Sequence, residues 1–244
     1  MVRTKAWRIV PLAVAMSTIA AAAEPNTLSG AEKAEGWQLL FDGRSLEHWQ
    51  GLAKPEIGSG WVVRDGAIVI RPKSRAGDII TRRTYRNFDF RFEFRVSPGA
   101  NSGVKYFVDP GRAQGGHGIG CEYQVLDDAR HPDAKLRADG SRTVASLYDV
   151  LPAAPDKPVR PPGEWNEGRI VVRGPRVEHW LNGVKVLAYE RGSPAYRAAV
   201  ANSKFAKIEG FGEWPEGHLL LQDHNDEVAY RNLKIRPLDD SARP

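Results

Sequence analysis

The sequence predicts an all-β sandwich of two antiparallel sheets, closed as a jelly roll, with one short helix. Three observations carry this expectation. Apolar and polar residues alternate with a period of two along several segments. The turn dipeptides Asp65-Gly66 and Asn182-Gly183 each separate two apolar runs, which is a hairpin signal. Only one stretch, Pro194 to Ala206, has helical spacing, and many short strands with few helices argue for a sandwich.

The first segment stands apart from this pattern. In MVRTKAWRIVPLAVAMSTIAAAAEPN, Arg3, Lys5 and Arg8 precede an apolar run from Ile9 to Ala20, and Ala21-Ala22-Ala23 closes it. That is the build of a secretory signal peptide, with cleavage expected after Ala23. Pro11 interrupts the run, which is also short for a membrane span. The expectation is an exported protein of the periplasm or cell envelope, with no membrane span once residues 1–23 are removed. Residues 24–244 then read as a single sandwich domain with its core over 36–238, large enough to bury a core without staples. Removing three of the 35 basic residues leaves 32 against 30 acids, a net charge near +2. No basic patch interleaves with aromatics, so nucleic acid is not an expected partner. Cys121 is the single cysteine, which excludes an internal disulfide and a cysteine-rich metal site.

Each strand follows from local pattern. WVVRDGAIVI (61–70) is two runs around Asp65-Gly66. In NFDFRFEFRV (87–96), Phe88, Phe90, Phe92, Phe94 and Val96 face one way, towards a core. Asp89, Arg91, Glu93 and Arg95 face the other, towards water. RVEHWLNGVKVLAYE repeats the hairpin around Asn182-Gly183. Further strands are predicted over 102–108, 119–126, 169–173, 218–222 and 228–235. Two loops stand out, the glycine-rich 109–118 and the proline-rich 150–163.

Polar side chains then fall in register on strand faces. Asn101, Gly103 and Lys105 share one face of NSGVKYFV. Glu122 and Gln124 share one face of CEYQV, opposite Tyr123 and Val125. Gln222 and His224 end LLLQDH, and His179 lies opposite Glu178 and Trp180 in VEHWL. Amides, a carboxylate, an ammonium and aromatic rings together suit a sugar, whose hydroxyls need paired donors and acceptors and whose ring has an apolar face. The expected partner is therefore a small-molecule sugar. In DDARHPD, Asp127, Asp128, His131 and Asp133 could hold a hard cation, although local Asx turns account for the same residues. Glu122 has no acidic partner in a motif, and the ExDxxE spacing of β-glucanase sandwiches is absent, so a retaining glucanase is not supported.

Six blocks, GWQLLFDGRSLEHW, NSGVKYFV, GIGCEYQVLDD, ASLYDV, GEWNEGRIVVRGPRVEHWLNG and LLLQDHNDEVAYRNLKI, run in order from Gly36 to about Leu238. Jointly they resemble the 3-keto-disaccharide hydrolase (3-keto-glycoside hydrolase) domain family. Asn225 stands where many relatives have Gly. The resemblance implies a concanavalin-like jelly roll and an exported enzyme acting on sugars oxidised at C3. A ketone at C3 acidifies the C2 proton, so one base can start an elimination that water completes as hydrolysis. On register alone, Glu122 or His224 is the candidate base, Lys105 and Asn101 hold the C3 oxygen, and Tyr148 or His179 protonates the leaving group. Gln124, Gln222, His179 and Trp180 are candidate sugar contacts. The residues assign no cofactor, and a divalent metal at the enolate could replace Lys105 in its role. A sugar 3-dehydrogenase is the expected upstream partner. The competing readings are a non-catalytic, lectin-like carbohydrate-binding sandwich and a structural envelope protein.

Overall fold

The computed structural model describes residues 24–239; the leader expected over 1–23 lies outside the described residues. The strands are β1 (Gln38–Leu39), β2 (Trp49–Gly51), β3 (Trp61–Arg64), β4 (Ala67–Ile70), β5 (Ile79–Thr81), β6 (Phe88–Val96) and β7 (Asn101–Val108). They continue as β8 (Cys121–Leu126), β9 (Asn166–Arg173), β10 (Arg176–Leu181), β11 (Val184–Glu190), β12 (His218–Leu221) and β13 (Val228–Pro237). One sheet has the order β11-β10-β9-β6-β13-β4-β3, with β1 also paired to β13; the other has the order β2-β5-β12-β7-β8. All named pairings are antiparallel. Among the described residues the result is an all-β sandwich with two short α-helices, α1 (Gly30–Ala34) and α2 (Pro194–Ala201).

The alternation in β6 does what its sequence dictates on the inner side. Phe88, Phe90, Phe92 and Phe94 are buried between the sheets. Across the layer, Tyr123 of β8 meets the edge of Phe92 at 5.3 Å and Tyr106 of β7 meets Phe88 at 6.3 Å, the edge-to-face geometry that aromatic quadrupoles favour. The outer side departs from expectation. Asp89 is 0% exposed and accepts a two-pronged bond from Arg169, both contacts at 2.7 Å. Arginines and indoles cover this face: Arg91 lies over Trp37 at 4.4 Å and Arg231 over Trp165 at 4.1 Å. Long guanidinium side chains can shield a strand face that reads as charged, and Asp89 is buried beneath them.

Both hairpin dipeptides take the left-handed conformation that a two-residue type I′ turn needs, at Asp65 (φ 53), Gly66 (φ 69), Asn182 (φ 47) and Gly183 (φ 82). In β7 the pairing with β12 slips between His218 and Leu220, and Phe107 has φ 57. This bulge puts Tyr106 and Phe107 together in the main core and turns Val108 to the outer face, against Leu220, Ile80 and Leu52. The helix expected to Ala206 stops at Ala201, where the Asn202 N–H caps it. Phe205 then stacks on Phe211 at 4.1 Å.

His179, placed by sequence in a sugar site, is instead fully buried in the core between the two sheets. Its Nδ1 faces the Ala145 carbonyl at 2.9 Å, an acceptor only, so Nδ1 carries the proton. Nε2 must then accept from the Tyr106 hydroxyl at 2.8 Å, and Tyr106 in turn accepts from Tyr189 at 2.6 Å. Burial lowers the His179 pKa from 6.5 to about 4. Between those values the unfolded chain binds a proton that the folded chain refuses. Stability is therefore full above pH 6.5 and falls as pH drops towards 4, by about 3 kcal/mol in all. Ring NMR shifts should show His179 neutral until close to pH 4; titration near 6.5 would contradict this burial.

Candidate active site

Strands β7 and β8 pair with Lys105 opposite Glu122, Gly103 opposite Gln124 and Asn101 opposite Leu126. The Lys105 and Glu122 side chains, 8% and 5% exposed, meet at 3.6 Å between Nζ and Oε2. Lys105 Nζ also donates to the Gly118 carbonyl at 3.0 Å. Gly103 explains how the carboxylate fits: a Cβ there would collide with the Glu122 carboxylate. Gln124 is buried, and its side-chain carbonyl accepts from the Val125 N–H at 3.0 Å.

Above this pair is a cleft of about 360 Å³. Lys105 and Glu122 form its floor; Gln114 and His117 to Gly120 form one wall, Lys204, Phe205 and Ile208 another, and Gln222 and His224 an end. Among the described residues lining it, Glu122 is the sole carboxylate. Buried acids hold the walls from behind. Asp78 accepts from Gly118 N–H and Asp223 N–H at 3.1 and 2.9 Å, and its bond to His117 raises that imidazole's pKa. Asp149 accepts from the Lys204 N–H and from Arg142 Nε, both at 2.6 Å, and Arg142 also donates to Asp133 at 2.6 Å. This chain fixes Lys204 with its ammonium 4.1 Å above the Tyr148 ring. Lys204 is exposed, and partial desolvation where its ammonium meets the Tyr148 ring lowers its pKa below the usual lysine range; burial raises that of Tyr148 above the usual phenol range.

The structure thus brings Lys105, Glu122, Gln222 and His224 to one cleft. Asn101 and Gln124 share the strand face but lie under the covering segments. Tyr148 sits behind, its N–H donating to the Glu122 carbonyl at 3.0 Å. His179 and Trp180 are not part of it. Both belong to β10 in the other sheet, where Trp180 turns outward and bonds Glu178 at 3.0 Å, beside Arg169. Lys204, His117 and Gln114 were not foreseen. They come from loops, and only the glycine-rich character of 109–118 hinted at any of them.

DDARHPD is mainly a capped loop: Asp127 accepts from Ala129 N–H and Gly99 N–H, and Asp128 from Val144 N–H. His131 stands out from this pattern. One ligand atom each from His131, His224 and Asp226 lies within 4.8 Å of the others, and burial together with His224 lowers the His131 pKa.

A half-enclosed cleft on one outer face of a two-sheet sandwich, largely apolar with a few convergent charged and amide groups, is the build of a small-molecule site. Residues 36–236 match the 3-keto-alpha-glucoside-1,2-lyase-like domain, and the chain belongs to that family. It is 33% identical to the 3-keto-disaccharide hydrolase of Bacteroides thetaiotaomicron over 93% of this chain and 87% of the relative. A crystal structure from Parabacteroides distasonis, provisionally assigned as a glycosyl hydrolase, superposes with a TM-score of 0.80 at 32% identity, covering 88% of this chain and all of that one. The exoplasmic/lumenal domain of VIP36 shares the fold alone, at a TM-score of 0.51 and 10% identity over 86% of this chain and 91% of that one. The chain is a carbohydrate-active enzyme of the hydrolase or lyase type.

Because Glu122 occupies the space beside Gly103, Gly103→Ala should displace the carboxylate. Overpacking of this kind costs about 1–3 kcal/mol, so a lowered melting temperature and a fall in kcat are both expected. Unchanged values for both would show that Glu122 has room elsewhere.

Proposed function

We propose that the cleft cleaves the glycosidic bond of 3-keto-disaccharides and related 3-keto-glucosides by C2-proton abstraction, elimination and hydration. The observation that carries this reading is a solitary buried carboxylate surrounded by cations. Glycosidases acting on unmodified sugars ordinarily flank the bond with two carboxyl groups. A ketone at C3 removes that need, because the C2 proton becomes acidic and one base suffices. The Bacteroides relative, a 3-keto-disaccharide hydrolase by name, supports the same substrate class.

In this reading Glu122 takes the C2 proton and the electron pair moves to the C3 oxygen as an enolate. Lys105, with one N–H engaged by Gly118, has two more to offer that oxygen. Collapse of the enolate restores the C3 carbonyl, forms a C1=C2 bond and expels the glycosidic oxygen, which takes a proton from Lys204. Water then adds at C1 and a proton returns to C2, so one water is consumed overall. Gln222 and Gln114 supply paired donors and acceptors for hydroxyls, and Phe205 and Ile208 an apolar wall. The C3 ketone must come from oxidation of a sugar hydroxyl, which calls for a sugar 3-dehydrogenase upstream. The leader pattern of residues 1–23 supports export, with the reaction in the periplasm or envelope.

The test uses the protein from Glu24 onward with 3-keto-trehalose and with trehalose, in D2O, following products by chromatography and mass. Glucose should appear only from the oxidised sugar, with deuterium incorporated at C2 of the keto product. Comparable release from trehalose, or binding of an unmodified glycan with no product from either, would overturn the reading; the latter result would favour a lectin. Glu122→Gln should lower kcat more than about a hundredfold.

Lys204 adds a pH signature. It acts only when protonated, and its pKa lies below the usual lysine range. The rate should therefore fall as pH rises through that lowered value. Lys204→Arg should move the fall to higher pH, and a profile unmoved by this change would take Lys204 out of proton transfer.

A further inference from the structure

We propose that His131, His224 and Asp226, with the side-chain carbonyl of Asn101, form a binding site for one divalent first-row transition metal at the His224 end of the cleft. Two independent observations converge there. The first is the clustering: two imidazoles and a carboxylate, from segments 93 and 95 positions apart in sequence, place ligand atoms within 4.8 Å of one another. The histidine rings meet edge to face at 5.8 Å. The second is an unpartnered acceptor on the residue whose backbone N–H bonds Asp226. Asn101 is 3% exposed, its N–H donates to Asp226 Oδ2 at 3.0 Å, and its Oδ1 is buried with no hydrogen-bond partner. A buried carbonyl oxygen without a donor is costly, and a cation satisfies it as well as an N–H would.

The donor set selects the ion. Two imidazoles with a carboxylate and an amide oxygen suit Mn²⁺, Fe²⁺, Co²⁺ or Zn²⁺, whereas Ca²⁺ and Mg²⁺ favour oxygen alone. Exposure matters equally. His224 is exposed, while His131 and Asp226 are half-buried, so coordination positions remain open to water or to a sugar oxygen, as in catalytic rather than structural sites. Ligation by His131 exchanges its 3.2 Å bond from the Asp133 N–H for the metal bond. His224 is a ligand in this arrangement, which leaves Glu122 as the base. The metal's use in turnover, drawing charge from a sugar ketone, rests on the keto-sugar reading; the binding site does not.

The experiment separates the two. Chelator-treated protein is titrated with CoCl2 alone and followed by visible absorption and calorimetry, with no sugar present. One Co²⁺ per chain and a d–d band of nitrogen ligation are expected. His224→Ala, which removes an exposed side chain, and Asp226→Asn, which keeps an acceptor for Asn101 N–H, should each weaken binding by at least ~100-fold. Glu122→Gln should bind Co²⁺ as the parent does. No saturable binding, or binding unchanged in both ligand variants, overturns the site. Turnover of 3-keto-trehalose is then read with and without Co²⁺. Metal binding without any turnover sinks the keto-sugar reading and leaves the site standing. Full turnover by the metal-free protein removes the metal's role in turnover and leaves the keto-sugar reading intact.

Discussion

An ionised carboxylate and an ammonium buried side by side on one strand face set the terms for the rest of the molecule. At 3.6 Å and an effective dielectric of about 20, their attraction is on the order of 5 kcal/mol. Desolvation costs several kcal/mol for each ion, so the pair adds little net stability. Losing one partner is a different matter, at about 3–5 kcal/mol, because a lone buried charge remains. The fold must therefore keep both in register and cover them. Register comes from the direct Lys105–Glu122 pairing of β7 and β8, space from Gly103, and cover from the segments that close over the sheet.

Those covering segments are anchored from two sides. From beneath, His179, Tyr106 and Tyr189 form one directed chain of hydrogen bonds that ends on Ala145. Ala145 has φ 64, and its N–H donates to the Gln124 carbonyl. From outside, Asp149, Arg142 and Asp133 fasten the same loop to the Lys204 segment. A strained residue held by a core histidine is over-determined by its surroundings, which is how such conformations persist. The consequence for the cleft is positional. Lys204 belongs to no regular element, yet its backbone is tied to a buried carboxylate and its ammonium to an aromatic face.

What the sequence made legible was whatever depends on a period of two and on short turns. The Asp65-Gly66 and Asn182-Gly183 hairpins, the phenylalanine face of β6, and the shared face of Lys105 and Glu122 all follow from local pattern. Alternation divides a strand into two faces without saying which is inward, or to which sheet the strand belongs. That is why His179 was misplaced: its face of β10 is the core face, and its polarity is satisfied by Tyr106 and Ala145. Trp180 failed for the second reason, since β10 joins the sheet that does not carry the cleft. Asp89 looked solvated because the arginines and tryptophans that cover it are remote in sequence. Lys204 and His117 left no trace because loop residues are placed by tertiary anchors, Asp149 and Asp78, that no periodicity encodes.

The charge balance of the cleft bears on mechanism as much as any single residue does. Glu122 faces Lys105, Lys204 and an imidazole held by Asp78. A site built only to grip a neutral sugar gains nothing from ammonium groups beside its carboxylate, since amides and hydroxyls match sugar hydroxyls without the desolvation cost of ammonium groups. A site in which an anion develops gains a great deal, because preorganised cations in a partly dry cleft stabilise charge that exists only during reaction. The enolate of a 3-keto sugar is such an anion, and its oxygen lies two bonds from the carbon whose proton Glu122 would remove. Base and counter-charge must therefore sit within a few ångströms of each other. In the proposed mechanism, opposition across one strand pair, with Gly103 leaving room between, would meet that demand.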